Sequence, residues 1–116
     1  MMFYLFLSLS HFIGRAAGDK ISAVRHEVSG REGESVTLRC EYETTSDYVY
    51  LYWYKHHSDL QAPHFILWKG GKKANQNQNI PPGRYTSSTT PSSTELTISR
   101  LTLADSALYY CALETQ

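Results

Sequence analysis

The chain carries no surplus of either charge. Eleven lysines and arginines balance 11 aspartates and glutamates over 116 residues, giving a formal net charge of zero and a pI near 7.0. A basic surface for nucleic acid and an acidic tail are both excluded, and electrostatics singles out no partner. No apolar run reaches the roughly 20 residues that a helix needs to cross a bilayer. No internal repeat, no helix-period stretch beyond the first residues and no Asn-x-Ser/Thr sequon occurs, so N-glycosylation is not implied. Cysteine is scarce: Cys40 and Cys111 stand far apart with no second pair nearby, a poor metal-ligand set. The adjacent His56 and His57, and the separate His26 and His64, have no Glu or Cys beside them at ligand spacing. No serine lies in a Gly-x-Ser-x-Gly elbow, and Gly70-Gly71 reads as a turn, not a phosphate-cradling loop. The lysines near Gly70 lack the density and aromatic interleaving of a nucleic-acid groove. Neither catalytic residues nor a metal or cofactor are expected, so the chain does not read as an enzyme.

What is present begins with residues 1–13, almost uncharged and rich in Phe, Leu and Tyr, followed by the small residues of Gly14-Arg15-Ala16-Ala17-Gly18. This reads as a secretory signal peptide over 1–18, cleaved after Gly18, and routes the chain to the secretory pathway and the cell exterior. Residues 19–116 are enough for one small domain. Export makes a disulfide permissible, and Cys40 with Cys111 is the only intrachain pair on offer. Closing a loop of that length contributes about 4 kcal/mol by the chain-entropy model. Acids crowd the first half of this domain and lysines its middle, which reads as a solvated mixed surface.

Strand signals recur about every eight to twelve residues between polar turns, which predicts an all-β domain. Residues 21–28 read as a first strand and 29–33 as a turn. Val36, Leu38 and Cys40 then alternate with Ser35, Thr37 and Arg39, pointing Cys40 inward. Past a polar loop, Leu51 and Trp53 share the side of Cys40, while Tyr50, Tyr52 and Tyr54 cover the outer face of the same strand. A short strand over 65–68 follows Pro63. The chain then turns at 68–73 into an Asn/Gln-rich loop ending at Pro81-Pro82-Gly83. Residues 84–88 and 96–98 are the next strands, and Ala107, Tyr109 and Cys111 face inward on the last one. Trp53, 13 residues after Cys40, and Cys111, 71 residues after it, have the spacing that staples two β-sheets around a core indole. Leu38, Leu96 and Tyr109 complete the expected core.

These residues carry a resemblance. The runs Gly33-Glu34-Ser35-Val36-Thr37-Leu38-Arg39-Cys40, Leu51-Tyr52-Trp53-Tyr54-Lys55, Leu96-Thr97-Ile98 and Asp105-Ser106-Ala107-Leu108-Tyr109-Tyr110-Cys111-Ala112-Leu113 resemble a T-cell receptor alpha or delta variable segment of the immunoglobulin superfamily. The match covers essentially all of the chain after residue 18. It implies an all-β variable-type sandwich of two antiparallel sheets that lacks its last strand, leaving the edge of the Cys111 strand open for a joining segment. It also implies a salt bridge between Arg84 and Asp105 below the core, and a corner hydrogen bond from the Tyr109 hydroxyl to backbone near 101–105.

Two surfaces follow from the resemblance. An outer face of Tyr52, Tyr54 and Tyr110, with His56 and Pro63, is the expected interface with a partner variable domain, beta for alpha or gamma for delta. His56 stands where the family usually has a glutamine, so pairing there uses a different bond or a water. Antigen, either peptide on a histocompatibility molecule or another ligand, falls to three loops. Thr45, Asp47 and Tyr48 belong to the first, Trp68, Lys69 and Lys72 to the second, and Ala112, Leu113 and Glu114 open the third. Plasma-membrane anchorage and contact with signalling subunits require a constant region that this chain does not encode. The same residues also suit a non-rearranging innate or adhesion receptor, or an immunoglobulin light-chain variable segment.

Overall fold

The structure, a computed structural model, describes residues 19–58 and 60–115, together with the backbone of two short strands over 2–7 and 11–13. In chain order the strands are β1 (Met2–Leu7), β2 (His11–Ile13), β3 (Lys20–Ala23), β4 (Glu27–Arg31), β5 (Val36–Glu43), β6 (Tyr48–His56), β7 (His64–Lys72), β8 (Gln78–Asn79), β9 (Tyr85–Thr90), β10 (Ser93–Ile98) and β11 (Leu108–Thr115). A 3-10 turn, Leu103–Asp105, precedes β11. The domain is the expected all-β sandwich. One sheet runs β3-β5-β10-β9, the other β4-β1-β11-β6-β7-β8 with β2 also along β11. Every pairing between residues 20 and 115 is antiparallel.

Period-two alternation builds the interior. On β5 Val36, Leu38, Cys40 and Tyr42 are buried while their neighbours are exposed, and on β6 Val49, Leu51 and Trp53 are buried. Cys40 of one sheet bonds Cys111 of the other, with Cα atoms 6.7 Å apart. Trp53 pairs with Cys111 in register and shares the buried cluster with Leu38, Leu96, Ile98 and Tyr109. Its indole Nε1 donates to Thr94 Oγ1 at 3.3 Å, so the largest core side chain leaves no polar atom unsatisfied.

Three elements differ from the sequence expectation. The single strand over 21–28 is two strands: β3 lies in the smaller sheet and β4 in the larger, with a bend at 24–26 where polar Arg25 and His26 interrupt the apolar alternation. The expected turn at 29–33 is shortened because Gly30 belongs to β4. A Cβ there would meet Leu101 Cδ1 and Val36 Cγ1 at 2.5 Å, so this glycine serves close packing and not chain reversal. Gly70 and Gly71 likewise lie within β7, which runs on to Lys72. A Cβ at Gly70 would overlap the Ala74 carbonyl, so the glycine lets the following turn fold back onto the strand.

The edge of β11 is the fourth difference. It is not open: β1 runs parallel to it through Phe6↔Leu108 and Leu7↔Tyr109, and β2 through Ala112↔His11 to Glu114↔Ile13. β1 also pairs antiparallel with β4. An edge with unpaired N–H and C=O groups recruits any extended segment within reach, and here the N-terminal residues supply it. The expected cleavage segment at 14–18 lies outside the described residues.

Candidate functional site

At the base of the sandwich, Arg84 grips Asp105 through two parallel bonds, Nη1 to Oδ2 at 2.7 Å and Nη2 to Oδ1 at 2.9 Å. The carboxylate is fully buried and also accepts the Thr102 N–H at 2.9 Å, while Arg84 donates onward to the carbonyls of Ser99 and Arg100. Burial alone would raise the Asp105 carboxyl, but the bonds from Arg84 and from the Thr102 backbone outweigh it and hold the group below the usual carboxylate range. Tyr109 is buried, and its hydroxyl donates to the Asp105 carbonyl at 2.6 Å, which anchors β11 to the 3-10 turn. Burial raises that phenol far above its ordinary value.

At the opposite end the first two loops are braced together. Lys72 Nζ donates to the Thr44 carbonyl at 2.7 Å, the Lys73 N–H donates to the Asp47 carbonyl at 3.0 Å, and the Lys73 ammonium lies 3.5 Å from the Asp47 carboxylate. Lys69 Nζ is likewise engaged, with the Asn75 carbonyl and Gln78 Oε1. Thr45, Asp47 and Tyr48 are exposed. Two expectations are corrected here. Trp68, Lys69 and Lys72 are not loop residues: all three lie within β7, and Trp68 sits opposite Tyr52 on the outer face with its ring edge-on to Tyr50 at 5.6 Å. Ala112, Leu113 and Glu114 do not open a loop: all three lie in β11, which is paired with β6 as far as Thr115↔Val49 and with β2 from Ala112 to Glu114, and Ala112 and Leu113 are buried there.

The outer face of β11, β6 and β7 is aromatic. Tyr52, Tyr54 and Tyr110 are half-buried, and Phe65, 47% exposed, stands between Tyr52 and Tyr54 with ring centroids 6.3 and 5.8 Å away. His56 stacks obliquely beside Tyr110, rings 6.1 Å apart and Nδ1 3.5 Å from the hydroxyl, and Pro63 is exposed at the rim. Tyr52 donates its hydroxyl to Glu114 Oε1 at 2.6 Å; burial and then this carboxylate raise its pKa.

Sequence reasoning missed two residues. Phe65 was read only as part of a strand, because a register shift opposite Trp53 and Tyr54 changes which β7 side chains face out. A bulge of that kind leaves no signature in the sequence. Tyr42 was visible in principle, continuing the series Val36, Leu38, Cys40. It is buried, donates to the Thr90 carbonyl, and burial pushes its phenol up to about 12.

Among the described residues no group of three His, Cys, Asp or Glu side chains comes together to hold a metal, and no helix is long and apolar enough to cross a membrane. A family model for the immunoglobulin V-set domain matches residues 24–116. The T cell receptor alpha variable 14/delta variable 4 segment of Homo sapiens is 32% identical over 109 residues, covering 92% of this chain and 90% of that segment. The T cell receptor alpha variable 38-1 segment of Homo sapiens is 35% identical over 86 residues, 74% of this chain and 72% of the segment. The T cell receptor beta variable 5-8 segment of Homo sapiens is 37% identical over 81 residues, 69% and 68% respectively. With its two cross-linked sheets and buried Trp53, the chain belongs to the immunoglobulin V-set family as a non-enzymatic variable segment of the T-cell receptor alpha/delta type.

Proposed function

We propose that this chain is the antigen-recognition variable region of an alpha or delta receptor chain, pairing through its aromatic face with the variable domain of a beta or gamma chain. Residues 1–18 act as its secretory leader, and their removal frees the edge of β11 for a joining strand. The observation that carries the reading is the continuous face of Tyr52, Tyr54, Phe65 and Tyr110, because a solvent-facing sheet of a monomer rarely keeps so many large aromatics. Tyrosine suits it, combining large contact area, two rotatable bonds and a polar tip. The braced loops over 44–48 and 73–77 stand at one end of that face, where two paired domains would present a joint surface to peptide on a histocompatibility molecule or to another antigen. Signalling subunits enter only through a constant region.

The test is co-expression of the complete receptor chain carrying this segment with full-length beta or gamma chains, reading assembled receptor at the cell surface. Assembly with at least one class of partner is the expected result, as is its loss when Phe65→Ser and Tyr110→Ser are combined. Full assembly of the double variant would overturn the reading.

A further inference from the structure

Glu114 is out of character with its surroundings. It is a half-buried carboxylate on the aromatic face, paired in register with Tyr50, whose ring stands edge-on to Trp68. Its one hydrogen bond among the described residues comes from the Tyr52 hydroxyl, at 2.6 Å. An ionised carboxylate has room for about four. In the uncovered domain water fills the remainder; under a partner domain that water is expelled, and a carboxylate left with a single phenol donor is costly. Resting on the pairing reading above, we propose that Glu114 selects the partner: it requires a variable domain that brings an arginine to this point of the interface.

Arginine is favoured over lysine by the walls of the site. A planar guanidinium can donate to the open carboxylate oxygen while stacking on the ring of Tyr50, which stands opposite Glu114 in register, whereas an ammonium offers a point charge and no plane to stack. The register places the arginine on the partner. Glu114 precedes Thr115, the last residue of β11, and sits opposite Tyr50, two positions into β6 from its loop end at Tyr48. Two domains paired face to face about a pseudo-two-fold axis, with both loop ends on one side, set the loop end of one against the loop end of the other. The arginine therefore belongs to a partner loop at that same end of the paired domains.

The experiment co-expresses the complete receptor chain with a library of partner chains randomised in that loop, sorts cells for surface receptor, and sequences the loops. Three forms are compared: wild type, Glu114→Gln, which keeps an acceptor for Tyr52, and Glu114→Lys. Wild type should enrich arginine at one loop position at least about tenfold over Glu114→Gln, the scale of a desolvated charge-assisted hydrogen bond, and Glu114→Lys should enrich aspartate or glutamate there. Lysine enriched as strongly as arginine, or loops of equal charge composition from all three forms with surface assembly intact, would overturn the proposal while leaving the pairing reading standing. Absence of assembly with every partner would end both.

Discussion

The two sheets of this domain share one core yet present opposite kinds of outer surface. On the smaller sheet Thr37, Arg39 and Glu41 are exposed and Glu95 is half-buried, with Arg39 3.6 Å from Glu95 and 3.8 Å from Glu41 and each charge in reach of water. On the larger sheet the same outward positions hold Tyr52, Tyr54, Phe65 and Tyr110. Strand propensity cannot separate the two, since threonine and tyrosine are both good strand residues. What separates them is the medium each face suits. Solvated ion pairs and hydroxyls do well in water, whereas a packed sheet of rings gains most when water is excluded.

Substitutions at the shared support and on each outer surface separate the two faces. The largest effect is expected where both faces depend on one support. Replacing Cys40 and Cys111 together by alanine should cost about 4 kcal/mol, read by urea unfolding of the purified receptor ectodomain, and should disorder both faces alike. Next comes the buried ion pair. Asp105→Asn should cost about 3 kcal/mol, because it leaves Arg84 facing a neutral amide beneath the core. Its pH dependence has a definite sign. The folded carboxyl is depressed below its unfolded value of about 3.9, so the pair contributes fully above that pH and loses its contribution as pH falls through the folded value. The asparagine variant should lack that acid-limb loss in a stability-against-pH profile.

Smaller effects divide the two faces. Phe65→Ser should change unfolding stability by less than about 1 kcal/mol, since the ring is nearly half exposed, yet weaken partner association by about 2 kcal/mol in a binding titration. Arg39→Ala on the other sheet should change both by less than about 1 kcal/mol, as expected of a solvated ion pair. If the arginine variant impaired association as much as the phenylalanine variant, the contrast between the faces would fail.

The sandwich was legible in the sequence because period-two alternation and the Cys-Trp-Cys spacing are local patterns repeated in every strand. What escaped depends on contacts between distant segments. That 21–28 divides between two sheets is a matter of tertiary pairing, as is the burial of Ala112 and Leu113 along β6. Gly70 and Gly71 resemble turn residues to any local rule, but Gly70 lets Ala74 approach and Gly71 leaves room for the Tyr42 hydroxyl and Val49. Lys69 and Lys72 looked like free recognition groups, and only the fold shows that they are spent on backbone carbonyls and a glutamine side chain of the braced loops. The closed edge of β11 could not be anticipated from a segment whose pattern reads as a leader.

Two equally exposed residues report on the two faces. Phe65, 47% exposed, lies on the aromatic face, while Val24, 46% exposed, lines a shallow depression with Thr37, Arg39 and Glu95 on the opposite sheet. Hydroxyl-radical footprinting of the assembled receptor, normalised to the intrinsic reactivity of each side chain, compares them directly. A face built for a partner predicts that Phe65 is protected to the level of the buried core while Val24 stays reactive; equal normalised reactivity at the two positions would contradict it.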